Sequence, residues 1–171
     1  MRQRALLLAG ITFALALSGL LAGGTALADG PPIPGDATVV GGSGTPITER
    51  IDPDKVKIEF RDAPLISPGQ GILGLDSLLP LSGTLDADVA HLYGPYYYGS
   101  GDLVSIDIQW SPAGSDFKIG LTRYGDMAFY GCTVTNGSGN CPVRVNTAGW
   151  FYPTVWNLGP YTATYSGTAS W

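Results

Sequence analysis

The chain has 171 residues, 44% of them hydrophobic and only 13% charged, with 25 glycines and 13 prolines. That length suits one domain, and so much apolar and aromatic surface can fill a core, which excludes wholesale disorder. A formal charge of −5 argues against nucleic acid as a partner, because phosphate recognition needs a basic face.

The first segment reads as an export signal. Arg2 and Arg4 open it, Ala5 to Leu21 is an apolar run broken only by small residues, and Ala26-Leu27-Ala28 supplies the small-x-small pattern of a cleavage site. An uncleaved anchor is the alternative, which the small-residue flank before Asp29 disfavours. Removal of residues 1–28 takes both leader arginines and moves the net charge from −5 to −7. Nothing after residue 28 is apolar for long enough to span a bilayer as a helix. The expectation is a secreted protein, extracellular or at the cell surface, without membrane contact after cleavage.

Residues 29–48 are rich in Pro, Gly and Ser and read as a flexible or extended leader. Their one apolar island, Thr38-Val39-Val40, is a possible donor strand for a neighbouring copy. The domain proper is expected over 49–171. Within its charged opening, Val56, Ile58 and Phe60 alternate with Lys57, Glu59 and Arg61, the pattern of a strand with one wet face. Pro64 to Pro80 is apolar but broken by glycine and proline, and reads as a loop.

Strand candidates then recur about every ten residues. They are Ser82 to Leu85, Ala90 to Tyr93, Leu103 to Trp110, Phe117 to Thr122, Met127 to Thr135, Val143 to Asn146, Trp150 to Trp156 and Tyr161 to Tyr165. No helical periodicity of useful length competes. This cadence predicts an all-β fold, a single antiparallel, jelly-roll-like β-sandwich of about eight strands.

Cys132 and Cys141 are the only cysteines, and a pair in an exported chain reads as a disulfide. Asn136-Gly137 between them is the preferred pair of a type I′ turn. In such a hairpin Cys132 faces Cys141 directly, at a non-hydrogen-bonded position where side chains approach closely. Tyr130 then opposes Val143, and Ala128 opposes Val145. Pro142 would fall opposite Gly131 at a hydrogen-bonded site it cannot serve, so that ladder must bulge or end there.

The order of several short motifs resembles the bacterial pre-peptidase C-terminal domain. They are Ser82-Gly83-Thr84, then Gly101-Asp102-Leu103-Val104 running into Ile106-Asp107-Ile108-Gln109-Trp110, then Ser115-Asp116-Phe117-Lys118-Ile119-Gly120-Leu121. The ending, with Gly149-Trp150-Phe151-Tyr152, Val155-Trp156-Asn157 and Tyr165-Ser166-Gly167-Thr168, is similar to that family's closing hairpin. The resemblance covers Leu81 to Trp171. It implies a β-sandwich that accompanies secreted hydrolases, where it aids export or binds matrix polymers. No hydrolase precedes the domain here.

Acid–base chemistry needs positioned titratable groups. His91 is the only histidine, a general base or an ordinary strand residue, and no nucleophile elbow or zinc-binding helix motif accompanies it. Asp86 and Asp88 would share a face in a strand and could hold calcium, or serve as turn caps. No other cofactor is expected, and the reading is non-catalytic. Tyr93, Tyr96, Tyr97 and Tyr98 could present flat amphipathic rings to a ligand; alternatively, Tyr96 and Tyr98 point inward and only Tyr97 outward. From Asp126 to the end only Asp126 and Arg144 are charged, a surface that suits a domain lying against something else. The expectation is a non-catalytic module binding an extracellular polymer or protein through aromatic and hydroxyl-rich faces. The alternative is a structural subunit, joined to copies of itself in a fibre or layer by the 29–48 leader.

Overall fold

The computed structural model describes residues 35–62 and 77–171. The export signal, its cleavage site and most of the Pro64–Pro80 loop lie outside them. The described residues form twelve strands and no helix: β1 (Ala37–Val39), β2 (Thr45–Arg50), β3 (Lys57–Arg61), β4 (Leu78–Leu85), β5 (Val89–Tyr93), β6 (Tyr96–Tyr98), β7 (Leu103–Ser111), β8 (Phe117–Arg123), β9 (Ala128–Val134), β10 (Ser138–Val145), β11 (Gly149–Asn157) and β12 (Ala163–Ser170). Two sheets pack face to face. One has five strands in the order β1-β10-β7-β12-β4. The other has seven, ordered β2-β9-β8-β11-β5-β3, with β6 also paired to β11.

The sandwich is as expected, but it is built from twelve strands rather than eight, and one pair departs from the antiparallel rule. Strand β3 runs parallel to β5. Two of the additional strands fall in the span read as a leader: β1 pairs with β10, and β2 with β9. The domain therefore begins by Ala37 rather than at residue 49. A fourth strand begins inside the expected loop, where Leu78–Pro80 pair with Thr168–Ser170 of β12.

Period-two patterning explains the layers. On β7, Val104, Ile106, Ile108 and Trp110 are buried in the main core, while Ser105, Asp107 and Gln109 face outward. Phe117, Ile119 and Leu121 of β8 and Phe151 and Val155 of β11 meet them from the other sheet.

The seven-stranded sheet carries a second apolar cluster on its outer face. Strands β2 and β3 are its opposite edges, so the link between them crosses that face, and it buries Ile51 and Val56 against Ala90, Leu92, Phe129, Tyr152 and Trp156. This inverts the reading of β3. Its apolar residues Ile58 and Phe60 belong to the outer face, and its charged residues Glu59 and Arg61 point toward the seam between the sheets, where they reach His91.

The cysteines are bonded, with Cα atoms 5.8 Å apart. Asn136 and Gly137 both have positive φ, 66° and 84°, as a type I′ turn requires. The expected hairpin ladder is nevertheless absent. Strand β9 pairs with β2 and β8, and β10 with β1 and β7, so the turn passes from one sheet to the other. The disulfide thus ties sheet to sheet, and Ala128, Tyr130, Val143 and Val145 all enter the common core. The difficulty with Pro142 disappears for the same reason: in β10 it stands opposite Ser105, not Gly131.

Candidate functional site

Of the four tyrosines singled out in the sequence, the structure exposes one. Tyr98 is fully buried, Tyr93 nearly so, and Tyr96 packs inward against Trp171. Tyr97 alone faces out, 59% exposed. It is not isolated. Its ring meets Trp150 edge-on, with centroids 5.5 Å apart, and Trp150 is itself 52% exposed.

Further rings extend the patch. Tyr124 follows β8 on the far side of β11, its N–H donating to the Trp150 carbonyl at 2.9 Å. Tyr97, Trp150 and Tyr124 therefore stand side by side across two strand spacings, about 10 Å. One step along β11 lies Tyr152, which is buried and holds Tyr124 and Phe60 at centroid distances of 5.9 and 5.5 Å. Tyr124 and Phe60 are 59% and 62% exposed.

Four solvent-facing rings thus form one platform on the outer face of the seven-stranded sheet. The sequence held a usable signal for half of it: Tyr97 is the outward member of its tyrosine triplet, and Trp150 and Tyr152 flank Phe151, which places both on one side of β11. Phe60 and Tyr124 were not legible, because their neighbours come from distant strands.

His91 sits at the seam between the sheets, fully buried. Its surroundings fix its protons. The Tyr93 hydroxyl accepts from the Ser82 N–H at 3.1 Å and donates to the Ser82 carbonyl at 3.0 Å. That uses its only proton, so Tyr165 donates in the contact between the two phenols. Tyr165 in turn accepts from His91 Nδ1–H, 2.7 Å away. In the neutral ring Nε2 is then a bare acceptor, and Arg61 Nη2 donates to it at 3.0 Å. Glu59 Oε2 also lies 3.1 Å from Nε2 but takes a hydrogen bond only from the protonated ring. Burial above all, then the Arg61 charge, hold the His91 pKa below its ordinary 6.5, with Glu59 opposing. The arrangement satisfies a buried polar group inside the fold and offers a substrate no free imidazole nitrogen.

The aspartates are placed differently from expectation. Asp86 and Asp88 lie in the turn between β4 and β5 rather than on a shared strand face, and Asp88 has φ 56°. Asp86 accepts from the Thr162 hydroxyl at 2.6 Å, and the Asp88 backbone carbonyl accepts from Lys57 N–H. Among the described residues no three acid, histidine or cysteine groups gather as a metal would need.

The proposed donor segment is engaged within its own chain. Thr38 and Val39 pair with Arg144 and Val143, and Val40 N–H donates to the Pro142 carbonyl. The strand is pinned at its start, where Asp36 ion-pairs with Arg123 and its carbonyl accepts from Asn146 and Thr147 N–H. The Asn146 side chain also donates to Thr38 Oγ1 at 2.8 Å.

Comparison with known proteins finds no matching family model and no matching curated protein.

Proposed function

We propose that this chain is an exported, non-catalytic module that binds an extracellular polymer through the aromatic platform of its seven-stranded sheet. The observation that carries this is the contiguity of Tyr97, Trp150, Tyr124 and Phe60 on one face. Exposed rings scattered singly need no explanation, whereas a set braced by a buried neighbour marks a binding surface. Tyrosine and tryptophan offer flat area with few rotatable bonds and a polar tip, which suits a hydroxyl-bearing polymer in water. Binding rather than catalysis is supported by His91, which is buried with both ring nitrogens engaged. The leader sequence supports export, and the resemblance to pre-peptidase C-terminal domains points to the same setting. Three of the four sheet edges suit a module that stays separate from its copies: Pro46 lies in β2, Pro80 lies in β4, and β3 carries Lys57, Glu59 and Arg61.

The test is retention on washed cellulose, chitin and peptidoglycan, comparing the natural chain with Trp150→Ala and Tyr97→Ala. Trp150→Ala is expected to lose about thirtyfold in affinity, the scale of truncating a central aromatic anchor, with an unchanged melting temperature. Equal retention of all three proteins on every polymer would overturn the reading.

A further inference from the structure

The opposite face of the molecule is chemically different. The outer surface of β10, β7 and β12, the three central strands of the five-stranded sheet, forms an open groove of about 460 Å³ walled at one end by Ser43. Its lining side chains are hydroxyls, two amides and one carboxylate, with Ile108 and two glycines between them.

Strand register arranges its side chains in two transverse rows. Asn140, Asp107 and Thr168 stand opposite one another across β10, β7 and β12, and Ser138, Gln109 and Ser166 form the next row. The rows are two residues apart along the strands, about 7 Å. Each has a planar amide or carboxylate at its middle or edge and hydroxyls beside it.

The internal hydrogen bonds decide what charge the groove accepts. Asn140 Nδ2 donates to Asp107 Oδ1 at 2.6 Å and to Ser105 Oγ at 2.8 Å, and Ser105 donates to Asp107 Oδ2 at 3.1 Å. The one carboxylate is therefore already served on both oxygens, and no lysine or arginine lines the groove. Asn140 Oδ1, Gln109 Oε1 and the Ser138 and Thr168 hydroxyls make no hydrogen bond among the described residues. They offer acceptors and rotatable donors without net charge. An anion would meet Asp107 unopposed, and an apolar ligand would strand the amides. A ligand with hydroxyls spaced along it satisfies both rows.

We infer that this groove binds a neutral glycan chain, seated across β10, β7 and β12 by Asn140, Gln109 and Thr168. It lies on the side of the sandwich away from the aromatic platform. If the platform binds a polymer as proposed above, one copy can hold two chains and join them; that bridging step alone rests on the platform reading.

The experiment titrates the 15N-labelled protein with cellohexaose, chitohexaose and β-1,4-mannohexaose, with hexagalacturonate as an anionic control, in both the natural sequence and Trp150→Ala. At least one neutral hexasaccharide is expected to shift the amides of Asn140, Gln109 and Thr168 saturably in both proteins, and the anion is not. The double variant Asn140→Ala, Gln109→Ala is expected to weaken that binding at least tenfold while its remaining spectrum stays dispersed. No shift at these amides with any neutral hexasaccharide would overturn the inference. So would shifts that depend on protein concentration alone, which would make the groove a contact between copies. Groove shifts in both proteins with no change around Trp150 in the natural one would leave the groove standing and remove the platform.

Discussion

Nδ1 of His91 lies 2.7 Å from the hydroxyl oxygen of Tyr165, and this contact joins β5 of one sheet to β12 of the other. Because Tyr93 spends its proton on Ser82, the direction of every bond in the chain from Arg61 through His91 and Tyr165 to Tyr93 is set. A protonated ring would donate from Nε2 to Glu59 and present a proton to Arg61 where an acceptor is wanted.

Stability is therefore expected to fall with acid in a defined window. The folded His91 takes up a proton only below its ordinary 6.5, mainly because of burial. Between the two values the unfolded chain binds more protons, so unfolding free energy rises with pH, is complete above about 6.5, and declines as pH drops toward the folded value. Urea unfolding at pH 7.5 and 5.5 measures this. His91→Gln should cost about 1–3 kcal/mol at pH 7.5 and should flatten the difference between the two conditions. Parallel pH profiles for both proteins would show that another group is responsible.

The disulfide is the second device that ties sheet to sheet, between β9 and β10. Closing a loop of this size removes about 2–3 kcal/mol of unfolded-chain entropy. Replacing both cysteines by serine should lower the unfolding free energy by that amount, measured by guanidinium titration, and reductant should do the same to the natural protein but nothing to the variant.

Strand β1 is expected to act in cis. Arg123 bridges Asp36 at its start and Asp126 beyond β8, and all three side chains are mostly buried. Burial by itself would raise the Asp126 pKa, but hydrogen bonds from Arg123 and Ala128 N–H outweigh it and hold the pKa below the usual carboxylate value. Asp126 thus adds stability that is present above pH 3.8 and is lost as pH falls through its lower folded value. Arg123→Ala should destabilise by about 2 kcal/mol at neutral pH. A chain starting at residue 49 loses β1 and most of β2. It should melt earlier than the natural chain, with both running as monomers on size exclusion. Loss of a large assembly in the shorter chain alone would instead establish the leader as a donor strand.

How far the sequence reached follows from the range of each signal. Alternation on β7 and β8 identified the inward residues because period two is local. The same alternation on β3 named the right apolar set, Ile58 and Phe60, but not the face it covers. That depends on β3 lying parallel to β5 at an edge, with residues 51–56 folded over the sheet. Asn136-Gly137 was legible as a turn. Whether its strands stay paired or part into two sheets is decided by β1, β2, β7 and β8, of which only β8 neighbours the hairpin in sequence. Tyr97 could be named as the outward member of its triplet, but its partner Trp150 lies on β11, and only the register of β6 with β11 brings them together.

Gly83 tests the seam between the sheets from the other side. It sits on β4 with its missing side chain toward His91, and a Cβ there would stand 2.9 Å from the imidazole Cε1 and 3.3 Å from Arg61 Nη2. The first distance is shorter than real Cβ contacts, and the ring cannot retreat, because Tyr165 and Arg61 hold its two nitrogens. Gly83→Ala should therefore cost about 1–3 kcal/mol by overpacking, even though alanine suits a strand better than glycine. The 15N chemical shifts of the imidazole provide the specific readout. A ring pushed off Arg61 should give a changed Nε2 signal and a shallower pH dependence of stability between 5.5 and 7.5. A destabilised protein with natural imidazole shifts would mean that β4 moves instead, and would place the rigidity of this seam in β5 and β12.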